Sequence, residues 1–212
     1  MQSGSRTLGI AFSDHDPTSY VAGAVVRADG VLDGLGFERC TVGGVDATDA
    51  VVDLFAGIGR EDVSRVLCSG VAPAWFNLID LRRLHEAVDR PVLSVSYEAS
   101  PGLEPALRRE FDGDELQRRL ATYRSLPPRR RVDVDGSETN GSEAADAGTN
   151  APGATGMTAP GAADPLFVRA VGIDDDRAVD VVRQLVRDGF RRPEPVRIAA
   201  IAASAHRDAV VE

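Results

Sequence analysis

Hydroxyl, indole, carboxamide and carboxylate groups crowd one stretch of this sequence, Ser69-Gly70-Val71-Ala72-Pro73-Ala74-Trp75-Phe76-Asn77-Leu78-Ile79-Asp80. The apolar run before it, Val63 to Cys68, has the length and β-branched content of a buried strand. Ser69-Gly70 ends that run and Pro73 marks a turn. From Trp75 the period becomes helical, with Leu78, Leu81, Leu84 and Val88 on one stripe. Pro91 stops the helix, and Val92 to Ser96 reads as another strand. Such a unit predicts two parallel strands joined by a right-handed crossover. Ligands bind these sheets beyond the carboxyl ends of the strands, so the Ser69–Asp80 turn is the expected site. Asn77 and Asp80, three apart, would share one helix face, either contacting a ligand or holding the turn by hydrogen bonds.

Arginines supply the complementary charge. Arg129-Arg130-Arg131, after Pro127-Pro128, and Arg191-Arg192 could grip backbone phosphates or form solvated surface. Arg197 should fall in the first turn of a helix opened by Pro193-Glu194-Pro195. The macrodipole disfavours a cation there by some tenths of a kcal/mol, so Arg197 needs an anion, either Glu194 or a phosphate. His85 reads as helix surface, and His206 has no identifiable partner. Cys40 and Cys68 lie among apolar residues without zinc-ligand spacing and read as buried free thiols.

Around these residues the chain reads as an α/β domain. Thr7 to Phe12 is a first strand closed by Ser13-Asp14-His15-Asp16-Pro17, Tyr20 to Arg27 a second, and Val31 to Cys40 a third after the Asp29-Gly30 turn. Short links imply an antiparallel meander. Asp46 can cap the next helix, whose stripe runs Ala47, Ala50, Val51, Leu54, Phe55 and Ile58. The order is three strands, helix, strand, helix, strand. Pro101 to Ala121 is helical with a break at Asp112-Gly113, Leu166 to Val171 is a strand, and Asp174-Asp175-Asp176 opens a helix ending at Gly189.

Composition narrows the class. The chain has 212 residues, 43% of them hydrophobic, enough for one packed domain over 1–212. No apolar run approaches the roughly 20 residues that span a bilayer, and the N-terminus lacks a signal-peptide pattern. A cytoplasmic protein without a membrane contact is expected. All 24 basic residues are arginine and the net charge is -9. Acidic, lysine-free surfaces suit a salt-rich, halophilic cytoplasm, although a GC-rich genome also favours arginine. Residues 133–164 carry six acidic groups, no basic one and no aromatic. Such a segment cannot bury enough apolar surface to order itself, so it reads as a disordered acidic insertion rich in Gly, Ala and Ser.

Four motifs recur in register with a known family. They are Val45-Asp46-Ala47-Thr48 after the third strand; Ser69-Gly70-Val71 with Phe76-Asn77-Leu78-Ile79-Asp80; Pro91-Val92-Leu93; and Pro193-Glu194-Pro195-Val196-Arg197-Ile198-Ala199. Together they resemble the archaeal endonuclease dU family, also known as domain of unknown function family 99, a relative of endonuclease V. The resemblance implies a ribonuclease H-like mixed sheet, an antiparallel meander followed by α-β-α-β, with flanking helices. It also implies Mg²⁺- or Mn²⁺-dependent cleavage of DNA at deaminated bases, with strand-end carboxylates holding the metal.

Two stretches depart from the family pattern. Gly9-Ile10-Ala11-Phe12 stands where the family carries Gly-Ile-Asp-Asp, and Ser69 stands where it carries an aspartate before the strand-closing glycine. Substitute ligands would be Asp14, Asp16, Glu38 and Asp46, with Asp14, Asp46 and the neutral Ser69 as the catalytic set. At most two carboxylates are expected to converge. Each has a plainer reading: solvated loop for Asp14 and Asp16, outward strand residue for Glu38, helix cap for Asp46. Nucleic-acid contacts would fall to Trp75, stacking on a flipped base unless it is core, and to Asn77, Asp80, Arg129, Arg130 and Arg197. Two readings follow, a metal-dependent endonuclease with rearranged ligands, or a catalytically degenerate module that binds nucleic acid or a protein. Both place Ala11 and Ser69 side by side on neighbouring strands. Deleting Asp133–Asp164 is expected to leave the Tm nearly unchanged; loss of cooperative unfolding in calorimetry would show that the segment is structural.

Overall fold

Short turns between apolar strands fold the first third of the chain into the expected meander. β1 (Arg6–His15), β2 (Thr18–Arg27) and β3 (Leu32–Thr41) pair antiparallel in succession. Helix α1 (Ala47–Ile58) crosses to β4 (Val63–Ser69), which runs parallel to β1. The turn α2 (Pro73–Phe76) and helix α3 (Leu81–Val88) cross to β5 (Val92–Ser96), parallel to β4. After α4 (Glu104–Glu110) and α5 (Gly113–Ser125) come β6 (Arg130–Val132), β7 (Leu166–Val171), α6 (Asp175–Leu185) and α7 (Glu194–Val211). The seven strands lie in the order β3-β2-β1-β4-β5-β7-β6. This computed structural model describes residues 5–97, 102–133, 166–187 and 189–211. The expected insertion therefore lies outside the described residues, apart from Asp133.

Two strand assignments change. Ser13, Asp14 and His15 do not close β1 but extend it, paired with Tyr20, Ser19 and Thr18. Hydroxyl and β-branched partners on β2 keep the ladder going beyond the point where β4 ends. Arg130 and Arg131 are not loop residues; with Val132 they form β6, antiparallel to β7. The break between α4 and α5 falls where Asp112-Gly113 suggested. Helix α6 ends at Leu185, short of Gly189.

Helices cover both faces of the sheet. α1 and α3 bury Val51, Leu54, Leu81 and Leu84 against Leu8, Ile10, Val66 and Cys68. On the other face α6 buries Val182 and Leu185 against Leu67, Leu93 and Val168. There too Ala199 of α7 meets Ala11 and Ala24. Cys40 and Cys68 are buried free thiols, as expected. His85 is half-buried rather than surface, its Nδ1 2.8 Å from the Arg90 carbonyl. His206 does find partners: it stacks on Phe37 at 4.4 Å and meets Tyr20 edge-on. Among the described residues no helix is long and apolar enough to cross a membrane.

The tightest approach is between α7 and β1. A Cβ added at Gly9 would lie 2.2 Å from the Pro195 carbonyl carbon and oxygen. Both contacts are backbone, so relief would require moving the helix off the sheet. Gly9→Ala should therefore destabilise by about 1–3 kcal/mol, the usual cost of overpacking. Urea unfolding measures it, and an unchanged midpoint would show that α7 sits farther from β1 than described.

Candidate functional site

The β1–β4 register ends at Ile10 opposite Cys68, so the next residues along, Ala11 and Ser69, are neighbours at the carboxyl end of β4. Their environments differ. Ala11 is 2% exposed beneath α7, and a carboxylate there would be buried among alanine and valine methyls. Ser69 is half-buried and opens on a pocket at the carboxyl ends of β4 and β5.

The turn after β4 does not begin a helix at Trp75. Ala74, Trp75 and Phe76 all have left-handed backbone, with φ of 48°, 53° and 58°. For L-residues this conformation costs about 1–2 kcal/mol each, so surrounding contacts must impose it. The Gly43 amide donates to the Ala74 carbonyl at 2.7 Å, and the Asn77 amide to that of Pro73 at 3.0 Å. Phe76 is buried with Leu103, Leu107 and Leu120. Arg119, itself 2% exposed, reaches the carbonyls of Phe76, Gly43 and Gly44 and pairs with Glu115. The result turns Trp75 outward, 44% exposed, so it is not a core residue. Helix α3 starts only at Leu81, where the Asp80 carboxylate accepts from the amides of Arg82 and Arg83. Asn77 and Asp80 thus share no helix face.

Asp46 and Asn77 exchange the roles that spacing suggested. The Asp46 side chain does not cap α1. It turns back to accept from the Thr41 amide at 3.1 Å and the Thr41 hydroxyl at 2.8 Å. Asn77, fully buried, accepts from the Ala47 amide at 2.9 Å and donates to the Thr41 carbonyl and to Asp46 Oδ1. Desolvation works to raise the Asp46 carboxyl, but the hydrogen bonds from Asn77 and Thr41 outweigh it and hold it below the usual range.

The other acidic candidates are dispersed. Asp14 accepts from the Ser19 hydroxyl at 2.5 Å, and Asp16 and Glu38 are exposed on the β1–β2 turn and on β3. Burial, then the charges of Asp46 and Asp14, push the Cys40 thiol up to about 12 against a hydrogen bond with Ser19. Asp14 and Asp46 therefore share one corner, both already hydrogen-bonded. Among the described residues no three His, Cys, Asp or Glu side chains are grouped to hold a metal ion. With a methyl at Ala11 and a hydroxyl at Ser69, the described residues do not fit the carboxylate-held metal that the family resemblance implies.

Two of the basic candidates are engaged within the chain. Arg197 forms a bidentate pair with Glu194, at 2.7 and 2.8 Å. Arg130 pairs with Asp175 at 2.7 Å. Arg129, over the Phe167 ring at 4.7 Å, lines the β4–β5 pocket with Ser69, Tyr97, Tyr123, Arg169 and Arg192 around a volume of about 140 Å³. Burial pushes the Tyr97 hydroxyl up to about 12, against the pull of the Arg192 charge, so it stays a neutral donor. Arg169, Tyr97 and Arg119 were not singled out by spacing. The available signal was an arginine inside an apolar strand and another on a helix otherwise short of buried residues.

Comparison with known proteins now has a geometry to meet. A family model described as endonuclease dU matches residues 3–207. A UPF0215 protein of Thermococcus kodakarensis is 28% identical, the match covering 90% of this chain and 82% of that protein. One from Pyrobaculum calidifontis is also 28% identical, covering 93% of each. Among solved structures, a protein of unknown function from Archaeoglobus fulgidus superposes with a TM-score of 0.71 at 22% identity, covering 95% of this chain and 97% of that one. Endonuclease V of Ciona intestinalis, in complex with a 24mer DNA containing an inosine followed by a ribo-adenosine, gives 0.58 at 12% identity, covering 97% and 87%. The expected fold, ribonuclease H-like and shared with endonuclease V, is the one observed.

Asn77→Ala strips partners from the Ala47 amide, the Thr41 carbonyl and Asp46 at once, and should cost about 2–3 kcal/mol. Because the Asp46 carboxyl is held low in the folded state, its stabilisation is complete above its unfolded value and lost as pH falls through the folded one. Without Asn77 that loss begins sooner, so acid unfolding followed by circular dichroism should have its midpoint at higher pH.

Proposed function

The chain belongs to the endonuclease dU family, and on that premise we propose that it binds DNA carrying deaminated bases along the carboxyl edge of its sheet, without hydrolysis at a carboxylate-held metal. The observation that carries this reading is Trp75, exposed on a strained left-handed turn beside the strand ends where ligands bind. Strain of this kind is kept where it presents a group for use. An indole held outward can stack on an extruded base, a contact worth roughly 1–3 kcal/mol. The inosine-containing DNA bound by the Ciona endonuclease V supports the choice of ligand. Ala11 and Ser69, in place of the family's acids, support binding over cleavage.

Fluorescence anisotropy with a 24mer duplex carrying one deoxyinosine or deoxyuridine, at low and molar salt, tests this. The expected outcome is binding that excess EDTA leaves unchanged, weakened roughly 5- to 100-fold by Trp75→Ala and lowered steeply by salt. No strand cleavage should accompany it. Failure to bind at low salt would overturn the proposal. So would cleavage in Mg²⁺ or Mn²⁺ that Asp14→Asn or Asp46→Asn removes, which would instead establish slow hydrolysis on that carboxylate pair.

A further inference from the structure

Strand β3 is one edge of the sheet, and part of its outer side is open. The Val42 amide donates to the Pro17 carbonyl at 2.9 Å, and Thr41 lies opposite Thr18. The alternation of an antiparallel ladder then turns the amides and carbonyls of Leu35, Phe37, Arg39 and Thr41 away from β2. Those of Thr41 are taken by Asp46 and Asn77. Toward the other end the ladder shifts register around Asp33, whose carbonyl accepts from Arg60 at 2.7 Å. Between these stops, no hydrogen bond among the described residues uses the outward groups of Leu35, Phe37 or Arg39.

Apolar side chains flank the open stretch. Leu35 is 45% exposed and Phe37 40%, and both lie on the α7 face, where Phe37 stacks on His206. Gly36 lies on the α1 face, since a Cβ there would be 2.8 Å from Ile58 Cγ1. Open amides beside exposed apolar side chains are a template for one more strand.

We propose that this strand is β3 of a second copy of the chain, paired antiparallel about a two-fold axis at Gly36. The register sets Leu35 opposite the partner's Phe37, and Phe37 opposite the partner's Leu35, each pair exchanging both backbone hydrogen bonds. The same pairs bring the apolar side chains together across the axis. On the other face Glu38 falls opposite the partner's Gly34. A Cβ at Gly34 would lie 3.8 Å from Arg60 Nη1, so each Glu38 meets a guanidinium of the other copy. Moving the axis to Phe37 would instead put the two Glu38 carboxylates on a diagonal and Leu35 against Arg39. Matching of its own charges and its own apolar rows is what an isologous contact requires, and it favours a second copy over an unrelated strand. The axis is normal to the sheet, so the two Trp75 turns point in opposite directions and each copy keeps its own carboxyl edge free. Pairing of one short stretch is small beside the roughly 1,600 Å² of a standard interface, so the association is in the micromolar range.

Sedimentation velocity on the full chain from about 1 to 500 μM, at low and molar salt, tests this. The expected result is a monomer that gives way to a dimer as concentration rises. Leu35→Lys puts a solvated charge on the edge, and Glu38→Arg sets like charges together; both positions are exposed. Each change occurs twice in the dimer and should weaken it about tenfold or more, with the urea midpoint of the monomer near that of the wild type. Hydrogen exchange should show the Leu35 and Phe37 amides slow at high concentration and fast on dilution. If Leu35→Lys fails to fold, Glu38→Arg decides alone. A monomer at every concentration, or a dimer that neither variant weakens, would overturn the proposal. So would slow Leu35 and Phe37 amides in a monomer, which would show that another part of the same chain covers the edge.

Discussion

A single buried carboxamide sets the geometry at the carboxyl edge of the sheet. Asn77 has no access to water, so every polar atom it carries must be satisfied by protein. Its oxygen takes the first amide of α1, and its nitrogen takes the last carbonyl of β3 and one oxygen of Asp46. The end of β3, the start of α1 and the link between them, some thirty positions earlier in the sequence, are thereby fixed to the turn after β4. Arg119 clamps the same corner from α5 through the carbonyls of Gly43, Gly44 and Phe76. Between these two anchors the backbone from Ala74 to Phe76 has only the left-handed path, and Trp75 has only the outward direction.

That corner also explains what was legible beforehand and what was not. The meander, the parallel crossing from β4 to β5, and the break before α5 follow from local apolar periodicity and turn residues, and these survive intact. The place of the Ser69–Asp80 turn, beyond the carboxyl end of β4, follows from topology. The roles of Asp46 and Asn77 do not, because they are decided by hydrogen bonds spanning thirty or so positions. A helix was expected from Trp75 because Leu78 falls on the stripe of Leu81 and Leu84. The strained turn instead places Leu78 in the cluster under α4 and α5. Arg197 was legible down to its alternatives, and Glu194 is the anion it finds.

The exclusive use of arginine acquires a structural meaning beyond solubility. Among the described residues five guanidinium groups stand over aromatic rings, at Arg119, Arg129, Arg169, Arg192 and Arg197. An ammonium could occupy a ring face but could not lie flat on it while directing several donors sideways. In this chain the planar cation serves as a packing element, as Arg119 does between Phe111 and the Gly43-Gly44 loop. The same property draws three of these groups into one pocket at the strand ends.

The hairpin of β6 and β7 bears on how this chain can change. Val132 pairs directly with Leu166, on one rung of the ladder, although thirty-odd residues separate them in sequence. Both of these residues are buried. The entropy of closing such a loop grows only logarithmically, by about 0.6 kcal/mol for each doubling of its length. A connection between two buried, paired residues can therefore be lengthened or shortened at little entropic cost. By that reckoning the β6 edge of the sheet is where chain length is least constrained by the ladder itself.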